Sequence, residues 1–346
     1  MRLLVTGGAG FIGSAFVRMM LADESCQALV NFDRLTYAGN LENVAPVAAD
    51  PRYRFLRGDV CDAALVDSIL GEFAPDAIVH FAAESHVDRA ILAPQPVFET
   101  NLRGTFTLLE AARRRGVGRF LHVSTDEVYG SVPEPLAATE DSPLRPTSPY
   151  SAAKAGSDLL ALCYFATYGL PVMVSRASNN YGPYQFPEKL IPLMISNALE
   201  GRPLPVYGDG RNVRDWLYVD DHCRALAALL EGGRDGEIYN VGGNCSLENL
   251  EVVHRIAQAT GAGEGLIQFV EDRPGHDRRY ALASDKIARQ TGWRPQVGFE
   301  EGLALTLAWY QHNRGWVERV RSGEYQAYYA RNYDNRQAEL GRLGKR

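Results

Sequence analysis

Arg2-Leu3-Leu4-Val5-Thr6-Gly7-Gly8-Ala9-Gly10-Phe11-Ile12-Gly13 is the stretch that decides the fold. Its first half is a short apolar run and reads as a strand over Leu3–Val5, and the pattern from Phe11 to Ala22 reads as a helix. Between them the glycines at 7, 10 and 13 form a GxxGxxG spacing. A glycine turn lets the backbone approach a pyrophosphate, and the helix behind it offers unpaired N–H groups and a positive dipole end. Glycines alone would make only a tight turn, and the strand before and helix after give this loop its meaning. Asp33 stands 20 residues past Gly13, at the end of the next apolar run. A carboxylate there binds both hydroxyls of an adenosine ribose and repels a 2′-phosphate, so NAD is expected rather than NADP. The adjacent Arg34 is the feature that would tolerate a phosphate. Asp59-Val60, after a third run, either flank the adenine or only end a strand.

Outward from this loop, strands are expected at Ala28–Phe32, Tyr53–Leu56, Ala77–Phe81, Phe120–Ser124 and Val172–Arg176. Helical patterns fill the intervals, among them Ala63–Glu72 and Thr100–Arg115. This alternation predicts an α/β fold, a doubly wound parallel sheet of the Rossmann kind with helices on both faces. After Asn179 the pattern loosens. The stretch 180–214, rich in Gly, Pro and Tyr, reads as loop with one helix near Leu190–Glu200. A strand at Glu237–Val241 and helices near Leu247–Thr260 and Glu301–Asn313 follow. The expected division is a cofactor domain over 1–180 and a smaller, mixed substrate-binding lobe over 181–346, with about 215–245 returning to the first.

The 346 residues suffice for one large α/β domain with a smaller lobe. With 46% hydrophobic and 23% charged residues, disorder is not expected. A net charge of -6 argues against a nucleic-acid partner. Five scattered cysteines without a CxxC spacing argue against a disulfide framework or zinc, so no metal is expected and a reducing compartment fits. The first strand runs directly into glycines, leaving no room for a signal peptide, and no apolar run approaches a membrane span. The expected place is the cytoplasm.

Chemistry enters with Ser148-Pro149-Tyr150-Ser151-Ala152-Ala153-Lys154. Tyr150 and Lys154 share a helix face at i and i+4. A lysine ammonium and a nicotinamide cation stabilise a phenolate, which then accepts an alcohol proton while hydride leaves. The same residues also make an ordinary helix start, with Ser148 as cap and Pro149 in the first turn. Ser124-Thr125-Asp126-Glu127-Val128-Tyr129-Gly130 adds adjacent carboxyls at the carboxyl edge of the sheet. They read either as a second acid/base pair or as solvated acids at a helix start.

Together these features resemble the extended short-chain dehydrogenase/reductases. Within that superfamily, segments 33–40 (DRLTYAGN), 82–89 (AAESHVDR), 124–130, 179–190 (NNYGPYQFPEKL) and 273–277 (RPGHD) resemble the dTDP-glucose 4,6-dehydratases. The resemblance runs from Met1 to about Gln337, and it implies oxidation at C4, loss of water across C5–C6 and return of hydride to C6, with NAD recycled. Glu127 would take the C5 proton and Asp126 would protonate the departing hydroxyl. Thr125 would bond the sugar and assist Tyr150, while Lys154 would also hold the nicotinamide ribose. Phe11, Ile12, Leu35, Thr36, Phe81, Ala82, Ala83, Ser85, Thr100 and Asn180 would line the cofactor. Ser85 and Asn179 would contact sugar or phosphate, and Glu188, Lys189 and Leu190 lie in the segment beside the nucleotide. Pro205, Val206 and Tyr207 would wall the base, and Arg214, Asn249 and Arg273 would bind diphosphate and deoxyribose. Asp272, His276 and Tyr333 fall on further matching positions. Any one of these residues taken alone is equally a surface or structural residue. Ala90 departs from the Ser that usually follows HVDR, with little expected effect, and His86 reads as a structural hydrogen-bonder.

The resemblance further implies a homodimer formed by the helices around Thr100–Arg115 and Ser151–Tyr168, pairing into a four-helix bundle. Nucleotide-sugar 4-epimerases and hexuronate decarboxylases share the Tyr/Lys pair without needing Asp126 and Glu127. A silent NAD-binding regulator would be expected to have a damaged YxxxK, and here it is intact. Thymine and uracil differ by one methyl, about 1 kcal/mol of burial, so a UDP-sugar stays open.

Overall fold

Leu3, Leu4 and Val5 are all fully buried, yet they point into two different cores. Leu3 and Val5 pack with Leu29, Val79, Leu121 and Met173 on one side. Leu4 packs with Val30, Phe32, Ile78, Phe120 and Val172 on the other. Such alternation with both faces apolar is what a parallel sheet covered by helices requires. The computed structural model describes residues 1–321.

Among these residues the strands are β1 (Arg2–Thr6), β2 (Ala28–Asp33), β3 (Tyr53–Arg57), β4 (Ala77–His80), β5 (Arg119–Thr125), β6 (Val172–Ala177), β7 (Asn179–Tyr181), β8 (Leu204–Tyr207), β9 (Val213–Tyr218), β10 (Ile238–Val241), β11 (Ser246–Glu248) and β12 (Ile267–Val270). Seven make one parallel sheet in the order β10-β6-β5-β4-β1-β2-β3, with Leu3 paired to Leu29 on one side and Ala77 on the other. The order reverses between β1 and β4, which opens a crevice at their carboxyl ends. The doubly wound parallel sheet read from the sequence is therefore present, and a smaller mixed set of strands lies beyond it. In that set β9 pairs parallel with β7 and antiparallel with β11, and β8 pairs with β12. A separate core of Tyr181, Ile191, Met194, Trp216, Ile256, Leu303 and Tyr310 holds these strands to the helices Leu190–Leu199, Asn249–Thr260 and Phe299–His312.

Three expectations need correction. The helix expected over Thr100–Arg115 starts earlier, as a widened π turn over Phe98–Gly104 that becomes α-helical at Thr105. The wide turn brings Asn101 inward, where its amide accepts from Glu84 N at 2.8 Å and donates to Glu84 O at 3.0 Å. Residues 180–214 are not loop around one helix, because β7, β8 and the start of β9 lie there, and Leu247 belongs to β11 rather than to the helix after it. The helix Val219–Gly232 was not anticipated. It packs Cys223, Leu226 and Leu229 into the core shared with Phe16 and Val17 of the helix Phe11–Ala22.

The late helix Arg314–Val320 reaches back to the glycine loop. Trp316 Nε1 donates to Asn43 Oδ1 at 3.0 Å, and Asn43 Nδ2 donates to the Ala9 carbonyl at 2.9 Å. Among the described residues, no helix is long and apolar enough to cross a membrane.

Candidate active site

The glycine loop begins with Gly7 at φ 72, in the left-handed region that favours glycine. A side chain there would also meet Ala82 N at 2.6 Å, because the chain leaving β4 passes directly over the loop. At Gly13 a Cβ would stand 2.3 Å from the Gly7 carbonyl. These two glycines let β1, β4 and the helix converge. The helix Phe11–Ala22 has no side-chain cap at Gly10, so its first N–H groups are available to an anion.

Asp33 closes the second edge. Its Oδ2 accepts from Ala9 N at 3.0 Å and its Oδ1 from Leu35 N at 2.8 Å. Each oxygen keeps a further acceptor position. Arg34 is drawn to Asp59 at 3.0 Å, the two residues lying across the rim. An uncapped helix start, a glycine cradle and a fixed carboxylate together fit NAD.

The cleft continues along the carboxyl ends of β4, β5 and β6. Of the expected residues, Gly7, Gly10, Phe11, Ile12, Gly13, Asp33, Arg34, Thr36, Asp59, Val60, Phe81, Ala82, Ala83, Ser85, Thr100, Thr125, Asp126, Glu127, Tyr150, Lys154, Asn179, Asn180, Glu188 and Lys189 line it. Leu35 does not, and it contributes its backbone N–H to Asp33 instead.

Tyr150 and Lys154 sit in the first turns of the helix Pro149–Tyr168, fixed by a reciprocal cap. Ser151 N donates to Ser148 Oγ at 3.1 Å and Ser148 N to Ser151 Oγ at 3.0 Å. Lys154 is 4% exposed, and its Nζ donates to the Val123 carbonyl at 2.6 Å. Burial lowers its ammonium to about 8, while Asp158 acts in the opposite direction. Burial, with the charges of Glu127 and Asp126, pushes the Tyr150 phenol above its ordinary value, and a hydrogen bond with Thr125 counters this. The lysine of this protein alone therefore does not produce a phenolate.

β5 ends at Thr125, whose hydroxyl caps the short turn Asp126–Tyr129 by accepting from Glu127 N at 3.2 Å. The same hydroxyl donates to Asp126 Oδ1 at 3.2 Å. Asp126 is 3% exposed, and its Oδ2 is buried without a hydrogen-bond partner among the described residues. Burial first, and then the Glu127 charge, raise the Asp126 carboxyl well above the usual range, so it favours its neutral form. Burial also raises Glu127, but Arg273, Lys189 and Arg214 pull it back down. Both carboxyls are raised, and Glu127 has three cations opposing its rise where Asp126 has Arg214 and the Thr125 hydroxyl.

A second group adjoins the carboxyls rather than the dinucleotide crevice. Arg214 is held by the Asp277 carbonyl at 2.9 Å and lies 4.2 Å over the Tyr280 ring. Arg273 stands 3.7 Å from Asp88, and the Tyr207 hydroxyl donates to Asp88 at 3.1 Å. His276 and Asp272 face each other at 2.6 Å, and Asn249 begins the helix Asn249–Thr260 with a buried, unpartnered Oδ1. Pro205 lies in β8, while the Val206 side chain turns into the lobe core at 2% exposure. Leu190 packs against that same core. Tyr333 lies outside the described residues. His86 caps the helix Val87–Leu92, accepting from Arg89 N at 3.5 Å.

Sequence reasoning missed several neighbours. His222 lines the cleft, with its Nδ1 2.9 Å from Asn180 Oδ1. Ser124, Glu84, Gln185 and Phe186 line it too. Tyr37 lies under the Arg89 guanidinium at 3.8 Å, and Arg89 Nε bonds Glu188 at 3.2 Å. Tyr37 and Phe186 lay inside quoted segments, but nothing local marked them. His222 begins an unanticipated helix.

Known proteins match this arrangement closely. The GDP-mannose 4,6 dehydratase family profile matches residues 4–306. The chain is 50% identical to a dTDP-glucose 4,6-dehydratase of Shigella flexneri, over 97% of this chain and 100% of the relative. The solved dTDP-glucose 4,6-dehydratase DesIV of Streptomyces venezuelae, with NAD bound, superposes with a TM-score of 0.90 at 56% identity, covering 92% of this chain and 100% of that one. A UDP-glucose 4-epimerase of Thermus thermophilus, in complex with NAD, superposes with a TM-score of 0.84 at 37% identity, covering 90% and 100%.

Proposed function

The chain belongs to the GDP-mannose 4,6 dehydratase family, among its dTDP-glucose 4,6-dehydratases, and from that premise we propose that it converts dTDP-glucose to the 4-keto-6-deoxy sugar nucleotide and water. The observation that carries this reading is the Asp126–Glu127 pair beside Tyr150, with Asp126 buried and pushed toward its neutral form. An epimerase needs no such pair.

NAD, held by the glycine loop and Asp33, supplies when bound a hydride acceptor and, in its oxidised form, a positive charge. Tyr150 takes the proton of the C4 hydroxyl, with Thr125 hydrogen-bonded to it and Lys154 beside it. The resulting ketone makes the C5 hydrogen acidic, and Glu127 removes it. Asp126 gives its proton to the departing C6 hydroxyl, which leaves as water; the hydride taken from C4 would then return to C6 while Glu127 gives its proton back to C5, completing the 4-keto-6-deoxy sugar. Glu127 has Arg273, Lys189 and Arg214 near enough to steady its charge. Arg214 and Arg273 also suit a diphosphate, since a guanidinium fork donates paired bonds to phosphate oxygens.

The division of labour we infer is a cofactor domain over 1–180 and a nucleotide-sugar lobe after it, with part of 215–245 returning. The packing of Val219–Gly232 and β10 on the large sheet supports the return. A homodimer is supported by outward-facing apolar side chains on the two helical segments that would pair: Phe98, Phe106, Leu159, Phe165 and Tyr168 are each at least 38% exposed. Five unpaired cysteines support a cytoplasmic location.

Incubation with dTDP-glucose and with UDP-glucose, without reductant, tests the reading. The expected product, by mass and NMR, is the 4-keto-6-deoxy sugar nucleotide, one water lighter, with dTDP-glucose the faster substrate. An intact hexose inverted at C4 would overturn it in favour of the epimerase.

A further inference from the structure

A buried charged cluster lies one helical turn beyond Lys154. Asp158, at i+4 from the lysine, is 0% exposed, and Arg176 on β6 is 2% exposed. Arg176 Nε donates to Asp158 Oδ2 at 2.8 Å, and His122 Nε2 on β5 stands 3.4 Å from Asp158 Oδ1. Arg176 Nη1 also donates to the Tyr129 hydroxyl at 2.9 Å, which donates onward to Asn240 Oδ1 at 2.7 Å. Tyr129 ends the turn that carries Asp126 and Glu127. The ion pair therefore touches both segments that bear the chemistry. Ser157 ties it to the lysine: its hydroxyl donates to the Lys154 carbonyl at 2.8 Å and lies 3.1 Å from His122 Nε2.

A buried ion pair is weak support for stability, because desolvation offsets the attraction and apolar residues of similar volume often serve as well. Its position behind the Tyr150–Lys154 pair points to another use. We propose that Asp158 is a positioning residue for the alcohol oxidation: clamped by Arg176 and His122, it keeps Lys154 charged beside Tyr150.

The groups around Lys154 support this. Tyr150 and Asp158 face it from its own helix, His80 from β4 and His122 from β5, with Arg176 on β6 behind Asp158. Burial takes His80 well below its ordinary value and His122 down to about 4, so both are neutral at working pH. Burial presses the Asp158 carboxyl upward, but His122 and Arg176 outweigh it, and Asp158 stays an anion. It is the group that opposes the loss of the lysine proton by burial. Removing Asp158 takes away the charge that opposes burial and lowers the lysine further. Removing Arg176 takes away a charge that holds Asp158 ionised, so the carboxyl rises toward its neutral form and supports the lysine less.

The inference rests on Tyr150 and Lys154 being the oxidation pair. The test follows the rate of bound NADH formation after dTDP-glucose is added to the holoenzyme, across pH. In wild type this rate falls as Lys154 loses its proton. Asp158→Asn should move the fall to lower pH by about one unit, and Arg176→Gln, which leaves Asp158 less firmly ionised, should move it in the same direction by less. Asp158→Glu, which keeps the charge, should retain the wild-type profile. A structural role alone would lower the rate at every pH without moving the profile. Such uniform losses, or a shift to higher pH in either variant, would overturn the proposal. If neither single variant folds, Asp158→Leu with Arg176→Met removes both charges, and its profile must fall below wild type; an unmoved profile overturns the proposal. Lys154→Met separates the two ideas. Bound NADH in that variant sinks the oxidation pair, whereas its loss, with unshifted Asp158 and Arg176 variants, sinks only the role of Asp158.

Discussion

Asp33→Asn puts cofactor retention on one side chain. In the wild type, each carboxylate oxygen already accepts one backbone N–H, from Ala9 at 3.0 Å and from Leu35 at 2.8 Å. Each has one acceptor position left for a ribose hydroxyl. The amide turns one of these oxygens into a donor. Whichever way it rotates, one backbone N–H meets an N–H group, and one ribose hydroxyl loses its acceptor. The other hydroxyl keeps a bond that has lost its charge. Hydrogen bonds to charged groups contribute about 1.5–3 kcal/mol and neutral ones about 1 kcal/mol. Losing one and weakening the other costs about 2–5 kcal/mol, roughly 30- to 4,000-fold in affinity. The assay is cofactor content after denaturing the purified protein, with calorimetric titration of the stripped protein by NAD and NADP. NADP should gain ground as the repulsion disappears. A variant holding NAD within about threefold of wild type would refute the reasoning. So would a wild-type protein that retains mainly NADP, which would mean that Arg34 escapes Asp59 and outweighs Asp33.

Tyr150→Phe should abolish bound NADH on substrate addition, read by nicotinamide absorbance. Glu127→Gln should still reduce the cofactor, yet it should block exchange of the C5 hydrogen with deuterated solvent. Asp126→Asn should allow that exchange and slow loss of the hydroxyl by about 100-fold or more, the usual scale for a general acid. The elimination step should follow a bell-shaped pH profile: it rises as the raised Glu127 carboxyl ionises and falls where Asp126, raised further, loses its proton. Single-turnover measurements of water loss in Asp126→Asn should lack the alkaline fall assigned to Asp126. Phe106→Asp and Leu159→Asp, at side chains 47% and 59% exposed, should convert a dimer to monomer by light scattering. A wild-type protein already monomeric at micromolar concentration would remove the basis for that expectation.

What the sequence made legible was what one strand, loop or helix fixes by itself. Gly7, Gly10 and Gly13 act within a single loop, and Tyr150 and Lys154 within one helix start. The parallel sheet was legible because its strands are apolar on both faces, as Leu3 to Val5 are. The rest depends on contacts between distant segments. Tyr207 finds Asp88 only across some 119 residues of chain, and Arg214 finds Tyr280 only once β9 meets the distant segment around Arg279. The helix Val219–Gly232 carries Asp220, Asp221 and His222 in its first turn, polar residues that give no apolar period to read. In the fold Asp221 is fully buried, accepting from Gln296 N at 2.9 Å and Val297 N at 2.8 Å. Strands β7 and β11 have three residues each and β8 has four, too short for a period to show.

The hydrogen bond from Trp316 to Asn43 also sets an order of events while the chain is made. The glycine loop leaves the ribosome early, whereas the indole that fixes Asn43 is added late. Until it arrives, Asn43 Oδ1 is left to water, and the amide that braces the Ala9 carbonyl can turn. A nascent or prematurely terminated chain therefore carries the nucleotide fingerprint with its Ala9 carbonyl held by Asn40 N but with Asn43 not yet fixed by the indole.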